Sequence, residues 1–318
     1  MSSYIIRRVL LLIPSLIVVT IIVFALVRLI PGDVIDQILA DMTYQVGAED
    51  IAELEAELGL DVPAHVQYWR WITGIVTRGD LGESLFTGQS VSERISRAIP
   101  VSFELGIMAI LISLIIALPI GIYSGIRQDT TGDYIARSFA ILMIAVPSFW
   151  LGTMIMVLPA IWWKWTPPLL YTPFTQDPVG NLGMFIIPAI VMGMYMSGTT
   201  MRMTRTMVLE VMRQDYIRTA WAKGLKERVV IVRHALKNAL MPVVTLVGIQ
   251  MPVLIGGSVV IEQIFNLPGI GRLMIQTLNE RDYTVISGLN LTVAVVVMSI
   301  NLLVDLTYGW LDPRVQYK

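Results

Sequence analysis

Runs of about twenty apolar residues dominate this chain, each long enough to cross a hydrocarbon core about 30 Å thick as an α-helix. The first run extends from Val9 to Val27 without a single charge. Backbone in lipid must satisfy its own hydrogen bonds, which leaves a helix as the solution for an isolated segment of this kind. The fold class is therefore an all-α membrane protein, whose 318 residues divide into spans and loops rather than globular cores. Only 15% of the residues are charged, against roughly a quarter in soluble domains.

Hydropathy places about six spans, near residues 8–30, 101–126, 136–161, 183–201, 240–261 and 283–311. Arg7 and Arg8 precede the first, but Arg28-Leu29-Ile30-Pro31 offers no small-residue cleavage site, so a retained span is expected rather than a signal peptide. With an even number of spans both termini share a side. That side holds Arg7, Arg8, Arg127, Arg137, Arg314 and Lys318, plus nine basic residues from Arg202 to Lys237. The short loops opposite carry only Lys164, Arg272 and Arg281. The positive-inside rule then makes both termini and the 202–240 segment cytoplasmic.

Residues 31–99 would lie outside, with twelve acidic residues against four basic ones. Ile51, Leu54 and Leu58 recur at helical spacing, and Tyr68, Trp69, Trp71, Ile72, Ile75 and Val76 form an aromatic-rich amphipathic stretch. Ser90-Val91-Ser92-Glu93 has capping-box spacing and is expected to open a short helix that ends at Pro100. Within the spans, Gly121 and Gly125 form a GxxxG pair suited to close helix packing. The chain thus divides into residues 1–99 (first helix and extracytoplasmic segment), 100–311 (five-helix core) and a cytoplasmic tail, 312–318.

Several chemistries have little to work with. There is no cysteine, histidine is limited to His65 and His234, and no cofactor or metal on this chain is expected. Net charge is −1, and no nucleic-acid partner is expected; membrane lipid is the solvent. Arg28, Glu104 and Asp305 fall near span ends, and no carboxylate or histidine sits mid-span, where an ion-coupled carrier usually needs one. An ion-coupled secondary transporter stays open as an alternative. An intramembrane enzyme lacks a nucleophile and base at matching depth.

The most distinctive segment lies between spans four and five. Gly224 is a natural stop for a helix that begins after Arg213. Thr219, Ala220, Ala222 and Gly224 cluster at the break, beside basic Arg218, Lys223, Lys226 and Arg228. This is either a compact basic knob or a solvated loop that only enforces orientation. The string Arg218-Thr219-Ala220-Trp221-Ala222-Lys223-Gly224 resembles the EAA loop of ATP-binding-cassette importer permeases, in which Glu-Ala-Ala is followed three residues later by Gly. Arg218 and Thr219 replace the Glu and first Ala, and Lys237 stands where a proline is expected, with Pro242 further on. Both departures are similar to the dipeptide, oligopeptide and nickel branch, as is His234-Ala235-Leu236-Lys237-Asn238-Ala239. So are Pro31-Gly32-Asp33, Gly79-Asp80-Leu81-Gly82-Glu83-Ser84, Phe265-Asn266-Leu267-Pro268-Gly269-Ile270-Gly271-Arg272-Leu273, Arg281-Asp282-Tyr283 and Leu311-Asp312-Pro313-Arg314.

The resemblance implies a type I importer fold and a permease subunit, not an enzyme, that forms half of a translocation pathway for di- or oligopeptides. Nickel, glutathione and oligosaccharide are the other cargoes of the branch. The partners implied are a second, related permease in a heterodimer, two cytoplasmic ABC ATPase subunits carrying ATP and Mg, and an extracytoplasmic substrate-binding protein, in a bacterial or archaeal inner membrane. The chain has no GxxxxGK[ST] loop of its own. ATPase coupling would fall to Tyr216, Arg218, Thr219, Ala220, Trp221, Ala222, Lys223, Gly224 and Leu225. Candidate pathway residues, where polarity or helix breaks interrupt apolar sequence, are Ser148, Phe149, Trp150, Tyr195, Ser197, Gln250, Gly256, Gly257 and Ser258. Phe265, Asn266, Pro268, Gly269 and Arg272 are candidates for contacting the binding protein.

Overall fold

A computed structural model of the chain describes residues 2–29, 56, 61–252 and 258–311. Helix α1 spans Ser2–Arg28, α2 Ala64–Arg78, α3 Val91–Ile126, α4 Thr131–Ala145 and α5 Ser148–Trp163. Next come α6 (Pro178–Met212), the short α7 (Asp215–Ala222), α8 (Glu227–Ala239) and α9 (Met241–Gln250). The series closes with α10 (Val259–Ile264), α11 (Ile270–Glu280) and α12 (Tyr283–Leu311). No strand occurs among the described residues beyond a single antiparallel bridge, Glu83 to Ser90. Four helices are long and apolar enough to span by themselves, and two bent pairs, α4–α5 and α8–α9, bring the number to six.

Three expectations shift. The predicted third span is two helices meeting at 86°. Pro147 has no N–H to continue the ladder and pushes the preceding residue out of the α region, and Val146 is accordingly extended at φ −82°, ψ 119°. The helix expected to stop at Pro100 instead runs on as α3 for 36 residues, about 54 Å. Its course is held by packing, with Ile95, Ala98, Val101 and Leu105 all buried, so the boundary set at residue 99 falls inside a helix. The predicted span 183–201 is the middle of a 35-residue helix opened by Asp177, whose carboxylate accepts from the Gly180 N–H at 3.0 Å. Most of residues 31–60, the tail 312–318, Gly256 and Gly257 lie outside the described residues.

Packing groups the chain into two units, one containing the chain up to Val101 with Pro268–Leu302, the other Ser102–Leu267 with the chain from Leu303. In the first unit α2 lies on α1. Tyr68 sits edge-on to Phe24 at 5.2 Å and its hydroxyl is 3.0 Å from that of Thr20, while the Arg28 guanidinium covers the Phe24 ring at 3.5 Å. Elsewhere in this unit Asp282, fully buried, joins two strings distant in sequence. It accepts from the Ser84 hydroxyl at 2.5 Å, caps the start of α12 through the Val285 N–H at 3.2 Å, and lies 3.7 Å from Arg94.

The second unit is a bundle built on close approach. A Cβ at Gly121 would stand 2.8 Å from the Met201 carbonyl and Thr204 Cβ, and one at Gly125 2.8 Å from Val208 Cβ. The GxxxG pair thus lets α3 and α6 meet at backbone distance.

Candidate functional site

Helix α7 is eight residues long, too short to be stable alone, and its ends show what holds it. At its C-terminus Gly224 adopts φ +73°, the Gly224 N–H donates to the Trp221 carbonyl at 2.9 Å, and the Leu225 N–H reaches back to Ala220 at 3.4 Å. That pair of bonds is a Schellman motif, which needs a left-handed residue at the Gly224 position. The inner face of α7, Ile217 and Ala220, packs against Val230 and Ala235 of α8 with Val211 and Met212 alongside. Residues 230 and 235 share this face because the backbone there is a π-helix, Val230–Ala235. Its i→i+5 bonds bring residues five apart onto the same side of the turn.

The outer face is left to partners. Arg218 and Asp215 form an exposed pair at 3.2 Å, and the Thr219 hydroxyl donates to the Asp215 carbonyl at 2.9 Å. Trp221, Leu225, Ala222, Lys223 and Gly224 are exposed. Tyr216 is exposed too, its hydroxyl accepting from the Asn238 amide at 2.9 Å, which ties α7 to α8. Of the nine residues singled out from sequence, Ala220 alone is buried and serves the hairpin's own core. The hairpin is therefore a packed knob rather than a loosely solvated loop.

A buried ion pair braces the helix that carries the knob. Arg205, two turns before the end of α6, grips Asp133 of α4 with two bonds, Nε to Oδ1 at 2.8 Å and a terminal nitrogen to Oδ2 at 2.7 Å. Asp133 is fully buried and also accepts from the Ser124 hydroxyl and, at 3.0 Å, the Asp129 N–H. All of its acceptor capacity is thereby used, as a buried carboxylate requires.

Residues 117–317 match the family described as the binding-protein-dependent transport system inner membrane component, and residues 1–106 match the N-terminal family of the same membrane components. The chain belongs to this family. It is 40% identical over 317 residues, the full length of both chains, to a putative peptide transport system permease protein of Brucella abortus (strain 2308). Identity is also 40% with the dipeptide transport system permease of Alkalihalophilus pseudofirmus and 38% with that of Escherichia coli (strain K12), again over the whole of each chain. A chain from a crystal structure of an amino acid ABC transporter with histidines shares the fold, with a TM-score of 0.54 at 12% identity over 69% of this chain and 94% of that one. The protein is a permease subunit of a binding-protein-dependent importer.

In this permease the sequence-derived pathway residues separate into two sets. Ser148, Trp150 and Tyr195 converge on a cavity of about 200 Å³ at the α4–α5 break, walled by apolar side chains such as Met143, Leu151 and Met194. Phe149 beside them is exposed. Ser197 and Ser258 are instead fully buried, Ser197 bonded to the Met194 carbonyl at 2.7 Å and Ser258 donating to Glu262 at 2.7 Å. Gln250 is half-buried and its Oε1 has no hydrogen-bond partner among the described residues. Among the residues proposed to meet the binding protein, Asn266 and Pro268 are exposed, Arg272 is half-buried, Gly269 is buried, and Phe265 is 1% exposed and packed beside Gly152.

Sequence reasoning missed the buried carboxylates Asp133, Glu262 and Asp282. Each lies just outside a predicted span boundary, which is why none was counted among charges in the membrane. The spacing Thr130-x-x-Asp133 was a readable signal, since Thr130 caps α4 by accepting from the Asp133 N–H at 3.3 Å.

Proposed function

We propose that this permease forms half of a peptide translocation pathway, paired with a second related permease, and is driven by two cytoplasmic ABC ATPase subunits that hold ATP and Mg and grip the face of α7 bearing Tyr216, Arg218, Thr219, Trp221 and Lys223. The termini and the 202–240 segment face the cytosol in this reading, on the charge asymmetry given above. Residues 31–99 and the 262–282 loop face outward, where Asn266, Pro268, Gly269 and Arg272 meet the substrate-binding protein, with Phe265 as their buried support. Residues 100–311 act as the transport core, and Ser148, Phe149, Trp150 and Tyr195 line the pathway; Gln250, Gly256, Gly257, Ser197 and Ser258 complete it. The observation that carries the coupling role is a rigidly capped helix whose inner face is fully satisfied within the hairpin and whose outer face is basic and exposed. A lever of this kind transmits force because its own fold does not yield. Full-length identity to peptide permeases supports peptide as the cargo.

The test is reconstitution in liposomes with labelled dipeptide. Uptake is expected only with the second permease, the ATPases, ATP and the binding protein. Uphill uptake by this chain alone under an ion gradient would overturn the reading, whereas ATP-dependent uptake of nickel in place of peptide would keep the architecture and reassign the cargo.

A further inference from the structure

A cavity of about 480 Å³ opens in the first unit between the start of α3 and the start of α11. Its wall carries three guanidinium groups, Arg94, Arg97 and Arg272, together with Gln89, Gln276 and Thr87, and no carboxylate. The volume is within the range of ligand-binding pockets. Arg94 forms the rigid back of the cavity. Its side chain is only 9% exposed, it donates to the Ser84 hydroxyl at 3.2 Å, and its two carboxylate partners, Glu280 and Asp282, stand at 3.6 and 3.7 Å behind the wall. Arg97 one turn on is 70% exposed, and its only recorded partner is Glu93, itself 56% exposed. A solvent-screened pair of that kind is worth little, so Arg97 can exchange it for a better acceptor at small cost. Arg272, offered from α11, completes the set from the facing side.

We propose that this cavity is the receptor for an acidic side chain of the substrate-binding protein, received as a carboxylate between Arg97 and Arg272 with the Gln89 and Gln276 amides donating beside them. The inference rests on the outward-facing assignment of this region and goes further by naming the chemistry of the contact. Charge complementarity selects the occupant: guanidinium forks match a carboxylate in two-pronged fashion, and the wall offers donors without an opposing acid. Docking through such charges governs encounter and register, which suits a partner that must arrive loaded and leave empty.

The experiment uses the full complex in nanodiscs with the binding protein encoded alongside this permease. Arg97→Glu combined with Arg272→Glu is expected to weaken binding-protein affinity at least tenfold and to flatten its salt dependence. Arg97→Lys with Arg272→Lys should stay within about threefold, because charge survives while the fork is lost. Since the chain has no native cysteine, Gln276→Cys can carry a unique photo-crosslinker. Its adduct is expected on a segment of the binding protein containing Asp or Glu, and this readout decides the matter even if the charge-reversed pair does not assemble. Unchanged affinity in the reversed pair, or adducts confined to lipid, substrate or the second permease, overturns the inference. If the binding protein does not associate with the wild-type complex at all, the outward assignment itself fails, and the two failures are told apart.

Discussion

Replacing Arg205 by Met leaves Asp133 fully buried without its counter-charge and with two of its four hydrogen bonds. Stranding one member of a buried pair costs about 3–5 kcal/mol. Asp133→Leu strands Arg205 in turn, and it also removes the acceptor of the Ser124 hydroxyl and the Asp129 N–H, adding about 1–3 kcal/mol. In the double variant no charge is stranded and only the second contribution remains. The two substitutions should therefore be strongly non-additive, with a coupling energy of about 3–5 kcal/mol. The assay is unfolding in mixed micelles titrated with SDS and followed by tryptophan fluorescence, with the four species measured as a cycle. Additivity within about 0.5 kcal/mol would refute the claim that this pair braces α4 against α6.

Gly224→Ala should impair coupling through backbone strain alone, because a Cβ there meets nothing within 4 Å while φ is +73°. A cost of about 1–2 kcal/mol is expected for Ala, less for Asn, and binding-protein-stimulated ATPase should rank Gly, Asn, Ala; equal rates for Gly and Ala would contradict this. Gly125→Leu drives a side chain into Val208, so α3 and α6 must separate, and the yield of assembled permease should fall sharply relative to Gly183→Leu, where a Cβ meets nothing within 4 Å. Asp282→Ala removes the α12 cap and strands Arg94, and amide exchange at Val285 and Ile286 should speed at least tenfold.

Much of the fold was readable because the apolar runs are long, and α1 and α12 fall close to their predicted limits. Where the sequence misled, a local signal was outvoted by packing. Pro100 was read as a terminator, yet the buried stripe through Ile95, Ala98 and Val101 carries α3 past it, whereas the equally visible Pro147 breaks its helix by 86°. A proline's lost hydrogen bond is a fixed cost, and what surrounds it decides the outcome. The hairpin's exposed residues were legible as a group from one string, and Gly224 signalled its cap. The braces behind it were not, since Asp133 and Arg205 lie 72 residues apart and pairing at that distance leaves no periodic trace.

The widened turn at Val230–Ala235 makes length, as much as composition, a fixed property of the hairpin. Removing any single residue there would return the coil to its ordinary 3.6-residue pitch and spin everything downstream by about 100°. Asn238 would swing away from the Tyr216 hydroxyl and the start of α9 would be re-aimed, although no side chain needed for either had changed. Conservative substitutions in this stretch should be absorbed easily, while a one-codon deletion should uncouple the subunit from its motor.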